Sequence, residues 1–162
     1  MMENVCIELA GLSDVEAIFE IERCCFESDY FSRRQFVYLI TRSKGAFYVL
    51  KCQGKVVGYL SLLIHARRGN ARVYILAVHP DRQGRGWANL LLDKAIEYTR
   101  EQGLNTLTLE VKTTNETAIR LYKKKGFDIA SIKPSYYADG RDAYGMRLSL
   151  DIKTTPTYLA RI

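Results

Sequence analysis

The chain has 162 residues, 48% of them hydrophobic, with a formal net charge of +6 and a pI of about 9.2. That length suits one domain and that apolar fraction supplies a core, so a disordered chain is excluded. The basic balance favours an anionic partner such as a nucleotide cofactor, an acidic peptide or RNA, against the plainer reading of a solvated basic face. In chain order, Val5 to Leu9 reads as a first strand. Ser13-Asp14-Val15-Glu16 is a capping box that starts a helix through Ile18, Ile21 and Cys25. Ser32-Arg33-Arg34-Gln35 repeats the device before Phe36, Leu39 and Ile40, after a short aromatic loop from Phe26 to Phe31. Strands follow at Ala46 to Cys52 and Lys55 to Ile64 around the turn Gln53-Gly54. Gly69-Asn70 marks a second hairpin turn before a strand from Arg72 to Val78, so these three strands predict an antiparallel meander. A helix from Leu90 to Gln102 is closed by Gly103, and Thr106 to Val111 alternates as a strand. Asn115 caps a helix that Gly126 stops, and Phe127 to Lys133 and Ala143 to Leu150 are the last strands. Residues 152–162 show no periodicity and read as a loosely docked tail to a domain spanning 1–151.

The four cysteines, Cys6, Cys24, Cys25 and Cys52, form no C-x-x-C pair, and only His65 and His79 stand beside them, so no metal is expected. Adjacent Cys24 and Cys25 point to different helix faces and suit buried thiols in a reducing compartment. No signal peptide and no bilayer-length apolar run are read, which predicts a cytoplasmic protein without a membrane partner.

The chemistry concentrates at Leu76-Ala77-Val78-His79-Pro80-Asp81-Arg82-Gln83-Gly84-Arg85-Gly86-Trp87-Ala88-Asn89. An apolar strand stops at His79-Pro80, a turn rich in Gly and Arg follows, and a helix begins. Strand, turn and helix in that order aim free N–H groups and a helix dipole at one point, which suits a pyrophosphate. A Walker A loop is absent. A dinucleotide fingerprint fails because Asn89 stands at the third glycine position and His79 to Gln83 separate the strand from Gly84. A merely structural helix start is the bland alternative.

Gln83, Gly86 and Ala88 fit the Q/R-x-x-G-x-G/A pattern of the GNAT superfamily of acyl-CoA N-acyltransferases, which the chain resembles over about residues 5–150. The series Leu109-Glu110-Val111, Asn115, Ala118-Ile119, Leu121-Tyr122 and Gly126-Phe127 resembles that family's C-terminal half. Ser135 to Met146, with Tyr136-Tyr137, Asp139-Gly140 and Asp142-Ala143, is similar to a signature of protein N-terminal acetyltransferases, both the bacterial ribosomal-protein alanine enzymes and the archaeal ones. Arg141 stands where the archaeal branch more often carries Glu, Trp87 is bulkier than the usual aliphatic residue, and Gly145 replaces an aliphatic one.

The resemblance implies a mixed α/β fold: a central, mostly antiparallel sheet of about seven strands with helices on both faces. The strands flanking the helix that begins near Ala88 would run parallel and splay where the cofactor enters. It implies acetyl-CoA as cosubstrate, with Gly84, Arg85, Gly86, Trp87, Ala88 and Asn89 on the pyrophosphate and Leu76, Ala77 and Val78 along the pantetheine arm. Glu110 would be the general base and Tyr122 the proton donor beside the thioester sulfur. Asn115 would contact the cofactor chain, the Val78 N–H would polarise the thioester carbonyl, and Tyr136, Tyr137 and Phe31 would border the acceptor. The implied acceptor is the α-amine of a protein N-terminus, a ribosomal protein among the candidates. The alternatives are a small amine such as a polyamine or aminoglycoside, and a non-enzymatic RNA- or ribosome-associated module. Direct nucleic-acid binding is not expected, and the expected assembly is a monomer or weak homodimer.

Overall fold

A computed structural model of the chain describes residues 4–26 and 29–150. The tail at 152–162, and Glu27 and Ser28 of the aromatic loop, lie outside the described residues. Seven strands are present among the described residues: β1 (Val5–Leu9), β2 (Gly45–Cys52), β3 (Lys55–His65), β4 (Asn70–Val78), β5 (Thr106–Lys112), β6 (Asp128–Lys133) and β7 (Ala143–Ser149). Four helices accompany them: α1 (Val15–Cys25), α2 (Arg33–Thr41), α3 (Trp87–Glu101) and α4 (Glu116–Lys124). The strand order is β1-β2-β3-β4-β5-β7-β6. β1/β2, β2/β3, β5/β7 and β6/β7 pair antiparallel, and β4/β5 pair parallel at Asn70–Arg72 against Thr106–Thr108. The expected mixed, mostly antiparallel sheet is therefore present.

The chain groups into two compact units, one of Met1–Leu63 with Val73–Ala95 and one of Ile64–Arg72 with Ile96–Ile162. In the first, Phe47, Val49 and Tyr59 meet Val15, Ile18 and Ile21 of α1 and Phe36 and Leu39 of α2 in one buried cluster. The alternate residues of β2 point to the other face. There Lys94 of α3 lies 5.1 Å over the Tyr48 ring, and a Cβ at Gly58 would stand 3.4 Å from Leu91. Helices thus cover both faces of this half of the sheet.

In the second unit, β5 alternates strictly: Leu107, Leu109 and Val111 are buried, while Thr106, Thr108, Glu110 and Lys112 are half-buried on the opposite face. Glu110 is opposite Gly145 of β7, and Thr108 is opposite Arg147. β6 ends the sheet, with Ile129 and Ile132 exposed. Its pairing with β7 jumps from Ile129↔Met146 to Ser131↔Gly145, so Ala130 is an extra, bulged residue.

Several boundaries correct the sequence reading. Ser13 caps nothing: Leu12–Asp14 forms a 3-10 turn, and the Asp14 carboxylate accepts from the Gly11 N–H at 2.9 Å instead. The Ser32–Gln35 box does form, with reciprocal bonds of 3.2 and 2.8 Å. The Gly69-Asn70 turn is longer than a two-residue hairpin, because Ala66–Arg68 is a 3-10 turn closed by Gly69 at φ +68°. α3 begins at Trp87, three residues before the expected Leu90, since the Leu90 N–H donates to the Gly86 carbonyl at 3.2 Å.

Candidate active site

That early start shapes the glycine turn before α3. β4 runs extended through Val78, and Pro80 then starts a single 3-10 turn over Pro80–Arg82. The Gln83 side-chain amide donates to the Val78 carbonyl at 3.2 Å and ties the turn back to the strand. Gly84 and Gly86 follow at φ +85° and +80°, which side chains rarely adopt, and open space lies where a Cβ would sit on either. Trp87, Ala88 and Asn89 form the first turn of a 15-residue helix, whose N–H groups have no intrahelical acceptor. Trp87 is buried, with the Arg85 guanidinium 5.4 Å over its ring. Amide donors, a positive helix end, a cation and two cleared glycine positions fit a pyrophosphate. Leu76, Ala77 and Val78 lead into this turn, with Leu76 half-buried and Ala77 and Val78 buried.

Phe31 lies in the same unit. Its ring is 5.5 Å from that of Tyr74 and 5.9 Å from that of Phe36. Its N–H donates at 3.0 Å to Glu22, a 3%-exposed carboxylate on α1 that also accepts from the Tyr59 hydroxyl. Burial pushes the Glu22 carboxyl above its ordinary value despite those two donors, and raises the Tyr59 phenol likewise. Glu22 was missed from sequence, although a charge among Ile18, Ile21 and Cys25 on the apolar stripe of α1 was its visible signal. A raised carboxyl contributes stability that is full below its unfolded value and is lost as pH rises through its folded value. Urea unfolding should therefore show Glu22→Gln matching or exceeding wild type at neutral pH, with a flatter pH dependence. Glu22→Leu orphans two donors and should cost about 2–3 kcal/mol.

The second unit gathers the remaining candidates. The Glu110 side chain is 11% exposed, and both its oxygens are engaged: Arg72 donates to one at 2.8 Å and Lys133 to the other at 2.8 Å. Arg72 also donates to the Tyr136 hydroxyl at 2.8 Å, and the Lys133 ammonium lies 5.4 Å over the Tyr136 ring. Tyr136 and Tyr137 meet edge to face at 5.0 Å. The Tyr137 phenol is pushed up to about 12, first by burial and then by the neighbouring Tyr136, Glu110 and Tyr122, with Arg72 opposing. Burial also raises Tyr122, whose ring packs 6.0 Å from Phe127. Glu110, Tyr122, Tyr136 and Tyr137 thus share one neighbourhood. Asn115 caps α4, its side chain accepting from the Ala118 N–H at 3.2 Å.

The signature segment earns its residues by pinning this loop. Asp142 accepts from the Ser135 N–H at 2.9 Å, and its carbonyl takes the Thr113 N–H at 3.1 Å. The Arg141 N–H and Lys112 hold Asp139 below its ordinary value, and the Arg141 side chain reaches Thr114 at 3.2 Å. Arg72 and Lys133 were not singled out from sequence; only their place opposite Glu110 in a folded sheet reveals them.

The fold is that of an acyl-CoA-dependent N-acyltransferase. Residues 15–127 match the acetyltransferase (GNAT) family, and the chain belongs to it as an acetyl-CoA-dependent N-acetyltransferase. It is 35% identical over 160 residues to an N-alpha-acetyltransferase of Sulfolobus acidocaldarius, covering 91% of this chain and 94% of that one. It is 32% identical over 155 residues to an N-alpha-acetyltransferase of Sulfurisphaera tokodaii, covering 89% and 92%. The crystal structure of the ribosomal-protein-S18-alanine N-acetyltransferase from Escherichia coli superposes with a TM-score of 0.81 at 29% identity, covering 91% of this chain and 94% of that one. Among the described residues no helix is long and apolar enough to cross a membrane.

Proposed function

We propose that the enzyme acetylates the α-amino group of a protein N-terminus, and that residues 1–151 form the acetyltransferase domain. The observation that carries this reading is the pinned 134–142 segment, which ties Tyr136 through Arg72 to Glu110. Its residues are those by which the chain resembles protein N-terminal acetyltransferases, and relatives named N-alpha-acetyltransferase cover nearly the whole chain.

The cosubstrate supplies an activated acetyl thioester. Gln83 to Asn89 would hold its pyrophosphate, Leu76 to Val78 its pantetheine arm, and Asn115 would contact the same chain. The acceptor amine must lose a proton to Glu110, directly or through water. Because Arg72 and Lys133 occupy both carboxylate oxygens, one must yield before that transfer; Lys133, 41% exposed on a flexible stem, is the one free to move. An α-amine of pKa ~8 is about a tenth free base at pH 7, against well under a thousandth for a lysine at ~10.4. Tyr122 holds its proton more tightly than an ordinary phenol of ~10, while the leaving thiolate has a thiol's pKa of ~8.5. Tyr122 therefore acts by hydrogen-bonding the developing thiolate, with full transfer uphill.

A polyamine would want uncommitted carboxylates, yet Glu110 faces Arg72 and Lys133, Asp139 faces Lys112, and Asp142 holds the Ser135 N–H. Of the two acids in the loop between α1 and α2, Asp29 is exposed and Glu27 is outside the described residues. Turnover of acetyl-CoA against peptides varied at residue one, with spermidine and an aminoglycoside alongside, tests the reading. Mass spectrometry should locate the acetyl group on the α-nitrogen. Rapid spermidine acetylation with inert peptides would overturn the acceptor while leaving the family standing.

A further inference from the structure

Gly145, the aliphatic-to-glycine departure in the signature segment, has a structural consequence. It is opposite both Glu110 of β5 and Ser131 of β6, and a Cβ on it would stand 2.5 Å from the Ser131 hydroxyl. With no side chain there, the face of the second unit that carries Glu110 holds a cavity of about 690 Å³. Four cations line it, Arg68, Arg72, Lys133 and Arg147, against one carboxylate, Glu110. Glu110 is satisfied by Arg72 and Lys133, whereas Arg68 and Arg147 are exposed. Asp128 is opposite Arg147 in the β6/β7 register but does not line the cavity.

We propose that this cup receives an acidic stretch of the acceptor polypeptide a few residues downstream of its reacting terminus, a reading that rests on the N-terminal acceptor proposed above. The exposed cations match carboxylates. Position fits as well. Arg147 lies two residues along β7 from Gly145, one strand over from Glu110. At about 3.3 Å per residue and about 4.8 Å between strands, this is roughly 8 Å, or two to three residues of extended chain. Acidic side chains from about the third residue onward therefore fall within reach of Arg147 and then Arg68. The same charge disfavours lysine-rich tails, so the cup sorts acceptors by the charge they carry beyond their first residues.

The test uses three peptides with identical first three residues, followed by an Asp/Glu-rich, a Ser/Gly-rich or a Lys-rich segment, with spermidine as a fourth substrate. The acidic peptide should show kcat/KM roughly tenfold above the neutral one and further above the basic one, mainly through KM, with the advantage fading in high salt. In Arg68→Ser/Arg147→Ser the acidic-to-neutral ratio should collapse toward one, while the charge-matched control Arg34→Ser/Arg42→Ser should preserve it. Equal kcat/KM for all three peptides would overturn the cup and leave the N-terminal acceptor intact. Turnover of spermidine alone would overturn both. An acidic preference that survives Arg68→Ser/Arg147→Ser would place it elsewhere and overturn the cup. So would tight binding of a single-stranded RNA that blocks neither peptide nor spermidine turnover but is lost in the same variant.

Discussion

Glu110→Gln should lower kcat for a peptide amine by about 10²–10³ at pH 7 while changing the KM for acetyl-CoA by no more than about twofold. A positioned base contributes on that scale, and Gly84 to Asn89, proposed above to hold the pyrophosphate, belong to the other unit. The deficit should shrink as pH rises past about 8, where α-amines deprotonate unaided. Glutamine also breaks the contacts to Arg72 and Lys133, so loss of the base must be separated from loss of the clamp. Lys133→Met does this: it removes one cation and keeps the carboxylate, and should retain turnover to within about tenfold. Steady-state kinetics from pH 6 to 9.5 on both variants provides the check. Wild-type turnover by Glu110→Gln at neutral pH, or a deficit constant across that range, would remove Glu110 from the base role.

Gly86→Glu should weaken CoA binding at least roughly a hundredfold, about 3 kcal/mol, and so abolish turnover at micromolar cofactor. Two effects add. A side chain must adopt φ +80°, which costs about 1–2 kcal/mol. The new carboxylate also stands at the N-terminus of α3, where the dipole favours it, and competes for the amides of Trp87 to Asn89 as an internal anion. Gly86→Ala carries the strain without the charge and should fall between wild type and Gly86→Glu. Calorimetric titration with CoA, together with urea unfolding to show that both variants fold, measures this. Micromolar or tighter CoA binding by Gly86→Glu would place the pyrophosphate elsewhere.

Much of this architecture was legible in advance because local signals were strong. Gly103, Asn115 and Gly126 mark helix ends by the conformations and hydrogen bonds those residues supply, and the Gln53-Gly54 turn joins its strands as expected. Ser13 misled because serine two residues before an apolar helix satisfies the same pattern whether or not its hydroxyl bonds; Asp14 took the local amide first. The start of α3 falls earlier than its pattern suggests because Trp87-Ala88-Asn89 resembles turn more than helix, whereas the Gly86 carbonyl decides it. At the site, Glu110 was visible as a carboxylate at the end of an apolar strand. Arg72 and Lys133, 38 and 23 residues from it, were not, because strand pairing rather than spacing brings them together.

The bulge at Ala130 bears on how the molecule behaves in a crowded solution. β6 is a terminal strand of the sheet and shows Ile129 and Ile132 to water, which is the profile of a strand that recruits another chain edge to edge. The extra residue kinks that edge in its middle, and Lys133 followed by Pro134, which has no N–H to offer, ends it. A foreign strand could register against only two or three residues before the ladder failed. The irregularity that sets Ser131 beside Gly145 therefore also guards the protein against aggregation through this border.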